Sequence, residues 1–209
     1  MADVLYIKWS ENHKFQELIK KTGIDNIVQK NDIVAVKTHM GELGGTGFIK
    51  PSWIKIVVDE IRRLSARPFI TDTNTIYAGD RSNAVGHLFV ANEHGFTFDN
   101  TNAPVIIADG PKGLFAKEVE IGGKHFKKVK IATGIFESDC MVVVSHFKGH
   151  LACGFGGAIK NLGMGCATRL GKFEMHSGLT PIWNKDRCVL CGKCIDKCAH
   201  DAMTLVNKE

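Results

Sequence analysis

The sequence predicts an α/β domain in which a mostly parallel sheet is covered by helices and interrupted by one antiparallel hairpin. Three observations carry this. Apolar runs rich in β-branched residues alternate with stretches of helical periodicity through most of the chain. Two of the runs, residues 104–108 and 140–145, are apolar almost throughout, as strands buried on both faces are. Gly122-Gly123 joins two further runs with no helix between them, the pattern of a hairpin.

Taken in order, residues 4–9 read as a first strand, and residues 11–21 as a helix closed by Gly23. Residues 32–37 are the next strand. A glycine-rich loop from Gly41 to Gly47 then leads to Pro51, whose fixed φ suits the first turn of a helix running through Ile54, Ile56, Val57 and Ile61 to about Leu64. Residues 68–72 form a strand, and residues 83–94 a helix with Val85, Leu88, Phe89 and Ala91 on its apolar side and Gly95 as its stop. After the strand at 104–108, residues 119–121 and 125–131 make the hairpin, and 140–145 the last strand of the sheet. In open sheets of this kind ligands bind beyond the carboxyl ends of the strands, so the residues just after each run are the natural place for function.

The formal charge of +5 is mild, and its densest cluster, Lys124, His125, Lys127, Lys128 and Lys130, sits around the Gly-Gly turn. A solvated hairpin face accounts for it, and no nucleic-acid partner is expected. No run is long enough to cross a bilayer, and the acidic, short N-terminal stretch containing Lys8 is no signal peptide, so a cytoplasmic location is expected.

Seven cysteines are crowded into the last third of the chain, four of them in one run. A disulfide framework would spread its cysteines over the fold, so metal ligation in a reducing compartment fits better. The run is Cys188-x2-Cys191-x2-Cys194-x3-Cys198, the spacing that wraps a cubane 4Fe–4S cluster, with Gly192 able to make the tight turn. Zinc prefers two separated ligand pairs and suits this compact run poorly. Ala199 follows the last cysteine where bacterial ferredoxins carry proline, which removes no ligand. Cys198 either closes its own cluster or leaves the fourth position to Cys166, Cys153 or a partner chain. The chain therefore divides into an α/β domain over residues 1–180 and a 4Fe–4S segment over residues 181–209. Residues 202–206 read as a strand entering a second ferredoxin half that the chain does not complete.

Three polar loops follow strands of the main domain. The first carries Lys37, His39 and Glu42 before Gly44, Gly45 and Gly47, able to bind an anion and move a proton. The second, Thr71 to Thr75, offers Asp72 and Asn74 to a ligand's hydroxyls or a hard cation, although Asx turns use the same residues. The third holds His146, Lys148 and His150, then Gly156 and Gly157 entering a helix with Lys160 one turn on, which could present backbone N–H groups to an anion. The glycine spacing is not that of a Walker loop. His87 and His94 lie on a helix with no assigned role.

The segments VKTHMGELGGTGFIKP, TDTNTIYAGDRSNAVGHL, HGFT, PVIIADG, GKHFKKVKIA and SHFKGHLACGFGGAIKNLGMGCATRLGK, with the cysteine run, resemble the bacterial and archaeal family called domain of unknown function 362. They cover nearly all of the chain. The resemblance implies an α/β domain fused to a ferredoxin-type unit that commonly has two cysteine runs, and this chain departs from it in having one. The function expected first is binding of a 4Fe–4S cluster with an electron-transfer or redox-accessory role toward a redox protein partner. The alternative is an enzyme acting on an anionic or carboxylate metabolite in the main-domain cleft, with the cluster tail structural.

Overall fold

A computed structural model describes residues 4–150, 154–177, 182–196, 198 and 203–204. Its centre is a four-stranded, wholly parallel sheet. Ile33–Lys37 (β1) pairs with Arg67–Asp72 (β2) on one side and Cys140–Val143 (β6) on the other, and β2 pairs with Val105–Ile107 (β3), giving the order β3-β2-β1-β6. Because β1 and β2 run in register, with Lys37 opposite Thr71, their carboxyl ends deliver Lys37 and Asp72 to one place.

Pro51–Arg63 (α2) starts with proline at its first turn and buries Ile54, Val57, Val58 and Ile61, a stripe at helical spacing. Each such side chain contributes on the order of 2 kcal/mol of burial free energy. With Phe15–Lys21 (α1), this helix covers the sheet face that carries Val34, Val36 and Ile70. A smaller second core, Ala108, Ala132, Ile135 and Cys166 with Ile131 and Met141 against it, lies apart from the first. Around it stand the hairpin of Ala116–Glu120 (β4) and Lys128–Ala132 (β5), the turn Thr133–Phe136 (α5), and Arg169–Ser177 (α7), whose preceding Ala167 bridges to Ile131.

Four expectations are corrected. Residues 4–9 are not a strand: neither edge strand of the sheet pairs with them, Tyr6 is 80% exposed, and the segment is tied down instead by Trp9 packing on Trp53 of α2. Ala84–Glu93 (α3) forms where predicted, capped by Asn83 accepting from Gly86 N at 3.1 Å, but Val85 and Phe89 face solvent while His87, Val90 and Ala91 are buried. There are two antiparallel hairpins rather than one among the described residues. The second joins Lys148–His150 (β7) and Gly154–Gly156 (β8) in what reads as a glycine loop, with Phe147 and Phe155 packed ring on ring at 5.6 Å. Finally, the described part of the predicted strand at 202–206, Met203 and Thr204, has no strand structure. The boundary at residues 180–181 and Cys153 lie outside the described residues. Phe98–Thr101 (α4), Ala158–Gly163 (α6) and Lys193–Asp196 (α8) complete the helices.

Candidate functional site

Asp72 is the hub of a buried charged cluster at the carboxyl ends of β1 and β2. Its Oδ1 accepts from Lys37 Nζ at 2.8 Å and from Thr73 N at 2.9 Å, and Lys37 Nζ also donates to Asn161 Oδ1 of α6 at 2.6 Å. The side chains of Lys37 and Asp72 are 1% and 7% exposed. Burial alone would drive the Asp72 carboxyl upward, but Lys37, His39, His87 and Arg81 together hold it well below the usual carboxylate range. Gly165 lets α6 come this close, since a Cβ there would sit 2.8 Å from Lys37 Nζ and collide with the Asn161 carbonyl.

Asp72 Oδ2 is ringed by Arg81 Nη1 at 3.5 Å, His39 Nδ1 at 3.8 Å and His87 Nε2 at 3.8 Å. Arg81 Nη1 also lies 3.3 Å from His39 Nδ1, the ring nitrogen that faces Asp72 Oδ2, and burial lowers the pKa of the His39 imidazole. The other edge of the guanidinium grips Glu42: Nε donates to Oε2 at 3.0 Å, Nη2 to Oε1, and Tyr77 adds a phenolic hydrogen bond to Oε1 at 2.5 Å. Burial and the neighbouring carboxylate push the Tyr77 phenol up to about 12 despite Arg81 beside it, so it stays protonated. His94 stacks on Phe48 at 4.4 Å and donates from Nδ1 to Met40 O, which fixes the backbone just before Glu42. Gly41, at φ +91°, is wedged against those same two rings.

Behind this layer, Lys172 of α7 donates to Thr73 O, Thr73 Oγ1 and Asn74 O at 3.3, 2.6 and 2.6 Å. Its ammonium is pushed down to about 8 by burial and by the cations Lys37 and Arg81, against the pull of Asp72 and Asp109. Asp109, just past β3, accepts from Asn74 N, Asn74 Nδ2 and Arg169 N, tying the ends of two strands to the start of α7. Burial raises its carboxyl.

His87 is fully buried, and neither ring nitrogen has a hydrogen-bond partner among the described residues. Burial takes its pKa from 6.5 down to about 4. Between those values the unfolded chain holds a proton that the folded chain does not, so stability is intact above the upper value and falls as pH drops toward the lower. The loss is about 3 kcal/mol at roughly 1.4 kcal/mol per pKa unit. His87→Gln is expected to remove one proton's share from the slope of unfolding free energy against pH in that window, measured by denaturant titration.

Toward solvent the cluster continues to Lys148, within electrostatic reach of Glu42, Arg81 and Lys160. Lys148 donates to Gly47 O at 3.2 Å, and its ammonium is lowered by burial and then by Arg81 and Lys160. Lys160 contacts His150 across the β7–β8 hairpin, and His146 Nδ1 is buried without a hydrogen-bond partner among the described residues. A surface groove lined by Ile33, Arg62, Arg67 and Ile106 among others lies at the opposite, amino ends of β1 and β2, and no carboxylate lines it. It lacks the acid–base pairs that mark the strand-end cluster.

In the cysteine run, Cys188 and Cys191 lie on a loop and Cys194 on the short helix α8. Cys188, Cys191 and Cys194 are exposed and Cys198 half-buried, while Leu190 and Gly192 take positive φ on either side of Cys191. Asn184 caps the turn before it. Hydrogen bonds from Trp183 and Leu190 lower the Cys188 thiol toward its thiolate. The run supplies four thiols from one short segment, the donor type that iron–sulfur clusters take, and among the described residues no three His, Cys, Asp or Glu side chains are gathered to hold a metal. Cys166 is buried in the second core, its thiol raised by burial.

Of the residues singled out from sequence, Lys37, His39, Glu42 and Asp72 come together, with Lys148 within electrostatic reach. Asn74 serves the turn to Asp109, while His150 and Lys160 pair at the rim. Arg81, His87, Lys172, Asn161 and Tyr77 escaped the sequence reading. For His87 a signal existed: it stands three and four residues before Val90 and Ala91, on the buried stripe of its helix. No helix among the described residues is long and apolar enough to cross a membrane. No curated protein and no solved structure matches the chain. The family model described as Domain of unknown function (DUF362) matches residues 34–208, taking in the parallel sheet, the Asp72 cluster and the cysteine run alike, and the chain belongs to that family.

Proposed function

We propose that the chain binds a 4Fe–4S cluster through Cys188, Cys191, Cys194 and Cys198 and serves in electron transfer with a redox protein partner. The observation that carries this is the run itself, three thiols two residues apart and a fourth three residues on. Their exposure, the positive φ of Gly192 and the lowered Cys188 thiol support it. Sites of this kind are completed by the metal, whose binding energy gathers ligands that the free chain leaves apart. The cluster would supply a one-electron couple; the chain's part is to hold the four thiolates and to shield their sulfur atoms. Anaerobic reconstitution with iron and sulfide, followed by iron and acid-labile sulfide analysis, tests the proposal: content near one cubane per chain is expected.

A second reading is favoured by a separate observation. Lys148 stands near enough to the buried Arg81 and to Lys160 for both to depress it against the pull of Glu42 and Asp72, which suits a site for an anionic metabolite with the tail structural. Serine replacement of the cysteines separates the two readings, since binding of an anion would survive loss of the iron.

A further inference from the structure

Arg81 is a buried cation that faces two carboxylates, Asp72 within the cluster and Glu42 from the surface. Its side chain is 4% exposed, whereas that of Glu42 is 52% exposed. A buried guanidinium cannot be left without a counter-charge at tolerable cost, and Asp72 at the end of β2, its Oδ2 3.5 Å from Nη1, supplies a standing one. Glu42, the second carboxylate, is placed differently. It stands at the start of an exposed loop, residues 42–47, rich in glycine and free of regular structure, pinned at its ends by buried Gly41 and Phe48. Around the Glu42 carboxylate converge both prongs of the guanidinium and the Tyr77 phenol, a fork and a third donor shaped for two carboxylate oxygens. The His39 imidazole and the Lys148 ammonium lie within electrostatic reach of that carboxylate.

We propose that Arg81 and Tyr77 form the seat for the carboxylate of a small-molecule ligand, and that Glu42 is an internal carboxylate which competes for that seat and swings out on the glycine loop when the ligand enters. The proposal rests on the second reading above, that the strand-end cluster takes an anionic metabolite, and adds which group is recognised and what regulates access. Asp72 stays beside Arg81 while Glu42 and the ligand exchange, so the buried charge keeps a counter-charge throughout. His39 and Lys148 then face the remainder of the ligand, while Lys37 and Asp72 hold the floor.

Isothermal titration calorimetry of the full chain with acetate and succinate, against sodium chloride of matched ionic strength, tests it. Removing an internal competitor lowers the apparent Kd by the fraction of time the seat was occupied. Glu42→Gln is expected to bind carboxylate about tenfold tighter or better, and Tyr77→Phe to bind it several-fold more weakly than the unaltered chain. The gain should vanish in Glu42→Gln combined with Arg81→Lys, which keeps the charge but loses the fork. Circular dichroism checks that each variant folds, and Tyr77→Phe keeps the test decisive if the Arg81 variant does not. If the unaltered chain binds and Glu42→Gln binds no tighter, the competing role of Glu42 is overturned while the second reading stands. Absence of carboxylate binding in every variant overturns both, and a gain that chloride reproduces, or that survives Arg81→Lys, overturns the seat.

Discussion

Asp72→Asn is expected to destabilise the folded chain by about 3–5 kcal/mol, the usual result of removing one partner of a buried ion pair. The reason is local. Lys37 Nζ is left with the Asn161 side-chain carbonyl and no adjacent negative charge, in a place with 1% exposure, while Arg81 and Lys172 stand nearby with the same sign. Against a total stability of order 5–15 kcal/mol for a domain of this class, that is a large share. Asp72→Asn combined with Lys37→Met is expected to recover most of the loss, since an apolar chain of similar length needs no counter-charge. Denaturant unfolding of the two variants and the double variant measures the coupling; additive effects would show that the pair acts independently.

The second large effect concerns the tail. Serine in place of Cys191 or Cys194 is expected to abolish retention of iron and sulfide after anaerobic reconstitution, while unfolding of the iron-free chain shifts by no more than about 0.5 kcal/mol, because both side chains are exposed. Cys198→Ser discriminates how the cluster closes. Loss of the cubane means that Cys198 is the fourth ligand, and retention means that a further donor supplies it. Cys166→Ser is expected to behave in the opposite sense, costing stability through the second core and leaving the iron in place. Iron analysis and denaturant titration on the same preparations separate these outcomes.

The parallel sheet and its covering helices could be read from the sequence where local signals agreed with tertiary need. Pro51 sets the start of α2 and the stripe Ile54, Val57, Val58, Ile61 sets its buried face; Asn83 and Gly95 bracket α3. Residues 4–9 misled because a short β-branched run makes a strand only if a sheet edge accepts it, which no local signal reports. On α3, Val85, Leu88 and Phe89 point outward while the polar His87 points in with Val90, because the space beside Asp72 admits an imidazole. The candidate site divides along the same line. Lys37, His39, Glu42 and Asp72 follow strand ends directly, so topology alone nominates them. Arg81, Lys172 and Asn161 arrive from turns and helices 39, 99 and 124 residues away from their partners, and such contacts have no periodic signature.

The four clustered cysteines are proposed to hold one iron–sulfur cubane. Low-temperature EPR of the anaerobically reconstituted full chain, before and after reduction with dithionite, tests it most directly. The predicted result is a silent oxidised state and a paramagnetic reduced state that disappears in Cys191→Ser. A chain that stays free of iron under these conditions, or one that binds a single zinc ion in its place, would contradict it.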